Sequence, residues 1–183
     1  GRPGDNLFTG CLMAVNVDTG KMAWYFQTSA HDTHDWDSAQ TPVLWDGVIN
    51  GQPRKLVSTA ARNGYFYTVD RVTGKHLVTA KLGTYTNWAK EVRPTGVMEP
   101  NPEKSATIPG ALVSPVEGGV VNWPPPAYSP IWRLLLPSSS TMMSYRSRAW
   151  RTTSASGAPN SPAATMSCAS WITSTKAPDT LAR

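Results

Sequence analysis

The chain has 183 residues, of which 40% are apolar, and a formal net charge of +5. This is the length of about one domain, and no run approaches the ~18 apolar residues that a membrane-spanning helix needs. Fourteen glycines and sixteen prolines make it turn-rich without reaching collagen-like levels, and two cysteines, Cys11 and Cys168, exclude a disulfide framework.

The first 130 residues read as short strands and turns. Leu12 to Asn16 leads into a turn at Asp18-Thr19-Gly20-Lys21, and Met22 to Phe26 follows, which is a hairpin pattern. Thr41 to Trp45 is a second apolar run, expected to end at Asp46-Gly47. Lys55 to Thr59 and Tyr65 to Asp70 are two more, separated by Arg62-Asn63-Gly64. Asn-Gly and Asp-Gly pairs supply the positive φ that tight hairpins require. No segment before residue 80 sustains a 3.6-residue apolar period, so helix is not expected. Asn87 to Pro109 is polar and Pro-rich and reads as one long loop.

One internal repeat stands out. Residues 15–21 match residues 69–75, each copy following an apolar strand and ending in Thr-Gly-Lys. A period of this size with strand–turn–strand content points to propeller blades. The alternative is two unrelated hairpins that use similar turns.

The densest polar cluster is His31-Asp32-Thr33-His34-Asp35-Trp36-Asp37. Carboxylate oxygens suit hard cations, and His with Asp also suits zinc, although no Cys cluster or spaced His pair supports zinc here. If the segment is extended, Asp35 and Asp37 face the same side. The bland reading is a solvated loop in which Asp and His cap turns. Arg62 is either a surface residue flanking a turn or a guanidinium aimed at an anionic or quinone oxygen. Asn122-Trp123, ahead of three prolines, reads as a rigid loop anchor, and Trp24, Trp36, Trp45 and Trp88 as core.

These blocks together resemble the quinoprotein alcohol dehydrogenases, PQQ-dependent enzymes related to methanol dehydrogenase. The resemblance rests on Arg2-Pro3-Gly4-Asp5-Asn6, Gly20-Lys21-Met22-Ala23-Trp24, His31 to Asp37, Arg62-Asn63-Gly64 and Asn122-Trp123-Pro124, and it covers residues 1 to about 130. It implies an all-β fold, with about two to three blades of an eight-bladed β-propeller tied by a tryptophan-docking motif from Ala14 to Trp24. The second copy of the repeat, ending in Lys75-His76-Leu77, lacks that Trp. The resemblance makes Asp35 the catalytic base and a metal ligand. Asp37 falls on a position that is acidic in lanthanide-using members, and so becomes a second metal ligand. A rival register places the base at Asp37, because Trp36-Asp37 also resembles the family's Trp-Asp pair. Arg62, Asn122 and Trp123 become cofactor contacts.

The implied activity is oxidation of a primary alcohol to an aldehyde with PQQ and Ca²⁺ or a lanthanide ion, in the periplasm, with electrons passed to a cytochrome c. The competing reading is a non-catalytic propeller that scaffolds protein assembly. On the resemblance the chain begins in mid-propeller as a fragment, and by itself it is expected neither to fold well nor to turn over alcohol.

The resemblance stops near Pro130, where composition also changes. Residues 1–130 carry 11 basic and 11 acidic residues, whereas residues 131–183 carry six basic residues and only Asp179. This second region is rich in Ser, Thr and Ala, and its scattered arginines form no nucleic-acid footprint. It reads either as a disordered tail or as the product of a reading-frame slip. In the shifted frame Trp171-Ile172 necessarily encodes Asp, and the surrounding codons permit an apolar strand.

Overall fold

A computed structural model describes residues 3–82, 85–131, 134–137 and 145–146. The residues on which the frame-slip reading rests, Met166 to Thr173, lie outside the described residues, as does most of the Ser/Thr-rich region. Among the described residues the structure is β-strand and turn with a single 3-10 turn, Pro102–Lys104. No helix there is long and apolar enough to cross a membrane.

Strands β1 (Cys11–Val15) and β2 (Met22–Gln27) form an antiparallel hairpin. Strands β3 (Val43–Ile49), β4 (Gln52–Ala60), β5 (Tyr65–Asp70) and β6 (His76–Lys81) form one antiparallel sheet in chain order, a complete four-stranded blade. Strands β7 (Ala89–Val92) and β8 (Met98–Pro100) form a further hairpin. Beyond them β9 (Leu112–Val113) pairs with β12 (Tyr145–Arg146), and β10 (Ala127–Ser129) with β11 (Leu134–Leu136). The β10–β11 pairing runs across position 130, where the composition changes.

Two sequence expectations are corrected. Strand β3 does not stop at Asp46-Gly47 but continues to Ile49, and the chain reverses at Asn50-Gly51, both at positive φ. Gly47 serves the strand instead: a Cβ there would lie 2.4 Å from the Trp45 ring, so the missing side chain makes room for the indole. The stretch from Asn87 to Pro109 is not one loop, because it contains the β7–β8 hairpin. Trp88, Ala89 and Met98 are buried and anchor this hairpin to the core.

The repeat is real at the level of individual hydrogen bonds. In the first copy Asn16 Oδ1 accepts from the Asp18 and Thr19 amides and the Thr19 hydroxyl at 3.0, 2.9 and 3.0 Å. In the second, Asp70 Oδ1 accepts from the Val72 and Thr73 amides and the Thr73 hydroxyl at 2.9, 3.1 and 3.2 Å. The Gly20 and Gly74 amides each donate back to the start of their turn at 2.8 Å. A short polar side chain that closes its own backbone turn explains why Asn and Asp exchange here.

The turns also join neighbouring units. Trp24, on β2, donates its indole N–H to the Arg71 carbonyl at 3.1 Å, and its ring lies against Gly74, where a Cβ would sit 2.8 Å from the indole. The second copy lacks the Trp, yet His76 makes a related contact. Its ring lies on Gly96, in the turn between β7 and β8, and stacks on Phe26 with centroids 5.9 Å apart. A continuous cluster that includes Leu12, Phe26, Trp36, Val57, Tyr67, Val69, Trp88 and Val113 forms the core between the sheets.

Trp24→Phe keeps the ring and removes the donor, so it is expected to cost about 1 kcal/mol of stability. Gly74→Ala is expected to cost more, because the added methyl group meets the indole at a left-handed φ of +72°. Denaturant unfolding of the intact protein measures both. Unchanged midpoints would refute the docking contact.

Candidate active site

The segment from His31 to Asp37 follows β2 but is not extended. His31 and Asp35 both adopt positive φ, at +49° and +66°, so the simple alternation that would put Asp35 and Asp37 on one side is broken. Most of the polar cluster shapes the loop. Asp32 accepts from the His34 amide at 2.8 Å with one carboxylate oxygen and from the Trp36 amide at 2.6 Å with the other. His31 Nδ1 lies 2.6 Å from the Gly4 carbonyl. His34 stacks on Trp36 with centroids 4.3 Å apart, and its Nε2 meets the Lys104 carbonyl at 3.1 Å. Trp36 is 1% exposed and donates its indole N–H to the Val116 carbonyl at 3.1 Å. Asp35 is exposed and has no ion pair among the described residues.

Asp37 is the carboxylate that reaches a partner. It pairs with Arg62 at 3.2 Å, with its own side chain 63% exposed and that of Arg62 19% exposed. The other terminal nitrogen of Arg62 donates to Asn122 Oδ1 at 3.0 Å. The structure therefore brings together Asp37, Arg62 and Asn122, and leaves Asp35 outside the group. Trp123 borders it with an indole that is 71% exposed, its backbone N–H donating to Asn122 Oδ1 at 2.8 Å. The Nε of Arg62 is buried with no acceptor. Buried donors are almost always paired in folded proteins, so this nitrogen fits an acceptor oxygen of a bound anionic or quinoid group. Asp37 and Asn122 offer hard oxygen donors of the kind that suit Ca²⁺ or a lanthanide ion. No three His, Cys, Asp or Glu side chains converge among the described residues, so this stretch offers part of a metal-ligand set.

The residue next to Arg62 holds the site together, and the sequence reading treated it only as part of a turn. Asn63 is fully buried. Its Nδ2 lies within hydrogen-bonding distance of the Thr28 carbonyl (3.1 Å), Ser29 Oγ (2.9 Å) and the Tyr67 hydroxyl (2.9 Å). Its Oδ1 accepts from the Tyr65 amide at 3.0 Å, and its carbonyl accepts the Trp88 indole N–H at 2.7 Å. The Tyr67 hydroxyl in turn donates to the Thr28 carbonyl at 3.0 Å. The available signal was an Asn between apolar strands that bears a tyrosine four residues later.

Asn63→Ala leaves several of these buried groups unpaired and is expected to cost about 3 kcal/mol, read as a lower denaturation midpoint of the intact protein. Burial also pushes the pKa of His34 below its ordinary 6.5, against the opposing pull of the Lys104 carbonyl and the Asp32 carboxylate. Burial lowers that of His76 as well, against a backbone hydrogen bond at Val78. The unfolded chain then binds protons that the fold does not, so this contribution to stability is complete above pH 6.5. It is lost as the pH falls through the depressed values of the fold. Unfolding titrations between about pH 7 and pH 5 should show that slope, and replacing both histidines by Gln should flatten it.

Comparison with known proteins places this geometry in context. Residues 1–82 match the family model described as PQQ: Glucose/ethanol/alcohol dehydrogenase, beta-propeller domain. The dehydrogenase subunit of alcohol dehydrogenase (quinone) of Gluconobacter oxydans is 41% identical over 135 residues, covering 72% of this chain and 18% of that protein. The 1-butanol dehydrogenase (cytochrome c) of Thauera butanivorans is 36% identical over 129 residues, covering 69% and 18%. The solved structure of a europium-containing methanol dehydrogenase superposes with a TM-score of 0.65 at 30% identity, covering 72% of this chain and 23% of that one. The chain thus spans about a fifth of the length of the relatives it matches.

Proposed function

We propose, from the premise that residues 1–82 are a stretch of PQQ-dehydrogenase β-propeller, that the protein carrying this chain oxidises a small primary alcohol to an aldehyde. The observation that carries this reading is the convergence of Asp37, Arg62 and Asn122 around a buried, unpartnered Arg62 Nε. When bound, PQQ supplies the two-electron acceptor and its metal ion a Lewis acid.

Asp37 is the general base in this reading and accepts the hydroxyl proton of the alcohol. It takes that role over Asp35 because its carboxylate faces Arg62, whereas Asp35 points away from any described charge. The rival register of the sequence reading is therefore the one we adopt. Arg62 donates hydrogen bonds to oxygens on which negative charge develops, and its planar fork suits that task better than a lysine would. Asn122 holds the guanidinium plane, and Trp123 stands at the rim. Asp37 also offers a carboxylate oxygen to Ca²⁺ or a lanthanide ion. The electron acceptor in this reading is a cytochrome c and the compartment the periplasm. The cytochrome c named for the Thauera butanivorans relative supports the former.

Titration of the intact protein with PQQ and Ca²⁺ or La³⁺ tests the proposal, since a scaffold propeller would give no metal-dependent quinone absorbance. Asp37→Asn is expected to lower turnover by about 10²–10⁴-fold while the quinone still binds. Asp35→Asn is expected to lower it less. The reverse order would reinstate Asp35 as the base.

A further inference from the structure

The loop from Val116 to Trp123 does more than deliver Asn122. Gly119 lies directly against Arg62: a Cβ there would sit 2.4 Å from both Cα and Cβ of Arg62 and 2.7 Å from its Cγ. A rotamer change moves neither Cα nor Cβ, so no side-chain adjustment of Arg62 relieves that contact. The close approach is held from several sides. The Val120 amide donates to the Arg62 carbonyl at 3.2 Å, and the Gly119 amide to the Val116 carbonyl at 2.8 Å. That same Val116 carbonyl accepts the indole N–H of Trp36, the neighbour of Asp37. Asn122 Nδ2 donates to the Gly118 carbonyl at 3.2 Å. One loop therefore touches Arg62 at its backbone and at its guanidinium, and touches the segment that carries Asp37.

We propose that Gly119 is a positioning residue for Arg62. With no side chain, it lets the loop seat the stem of Arg62 where the guanidinium joins Asp37 to Asn122 and presents Nε to the cofactor. The cofactor part of this inference rests on the PQQ reading above. The seating of Arg62 does not.

The competing explanation is that Gly119 is a glycine only because its φ is +77°. Gly110 separates the two, because its φ is +74° and nothing lies within 4 Å of a Cβ placed there. Gly110→Ala therefore carries the backbone strain without the crowding. The experiment compares Gly119→Ala, Gly110→Ala, Arg62→Ala and the Gly119→Ala/Arg62→Ala double variant in the intact protein. It has two readouts: the cofactor-free crystal structure of Gly119→Ala, and PQQ affinity by absorbance titration in the presence of Ca²⁺.

The expected structure has lost the contact between Arg62 and Asn122. The expected affinity falls about tenfold or more in Gly119→Ala and stays near wild type in Gly110→Ala. In the Arg62→Ala background the same glycine substitution should add less than about twofold, because the group it displaces is gone. An intact Arg62–Asn122 contact, an equal loss in Gly110→Ala, or an undiminished loss in the Arg62→Ala background would each overturn the inference. If Gly119→Ala fails to fold, adding Arg62→Gly removes two of the three crowded atoms and should restore folding. Absence of that rescue would also overturn it. Failure of the unsubstituted protein to bind PQQ refutes the cofactor reading alone and leaves the crystal structure to decide the seating.

Discussion

A single buried amide is the point on which the site is built. Asn63 ties the end of β2, the start of β5 and the approach to β7 into one hydrogen-bonded knot. Such a group stabilises only when it is fully paired, because every unmet donor in a dry interior carries its whole desolvation cost. Pairing also fixes direction. With Asn63 held through side chain and carbonyl, the backbone at Arg62 has little freedom, and its guanidinium leaves the turn along a defined line. The functional group is on the surface side of the turn, and the constraint that aims it is underneath.

The same division recurs in the segment from His31 to Asp37. Its carboxylates and imidazoles look interchangeable in the sequence, but the structure sorts them by partner. Asp32 closes the loop on itself, His34 covers Trp36, and Trp36 fastens the segment to Val116. Only after these attachments does Asp37 stand opposite Arg62. The side chains that shape the backbone are inward or half-buried, and the one free to do chemistry is more than half exposed.

Much of this was legible beforehand where the interaction is local. The paired turns at Asn16 and Asp70 could be read because each side chain bonds its own next few residues. The partnership of Arg62 with Asn122 was anticipated only through resemblance, as sixty residues separate them. What misled the reading was tertiary in origin. Asp46-Gly47 has turn chemistry, but an indole occupies the space above Gly47 and keeps it in a strand. Asn87 to Pro109 is polar overall, but three buried residues, Trp88, Ala89 and Met98, suffice to fold it into a hairpin. Asp35 was favoured over Asp37 on spacing, and spacing does not foresee a non-glycine residue at φ +66°. Asn63 looked like an ordinary turn residue because nothing in its neighbours announces a tyrosine hydroxyl beneath it.

The aromatic rings laid over Gly74 and Gly96 make the architecture directional. Trp24 reaches forward onto the unit that follows it, and His76 reaches forward in turn, so each link is formed by a ring from behind and a bare backbone ahead. A module that carries one ring and one glycine holds both ends of such a link. Copying that module would bring its own fastening with it, so a chain of this kind lengthens by duplication without inventing a new joint.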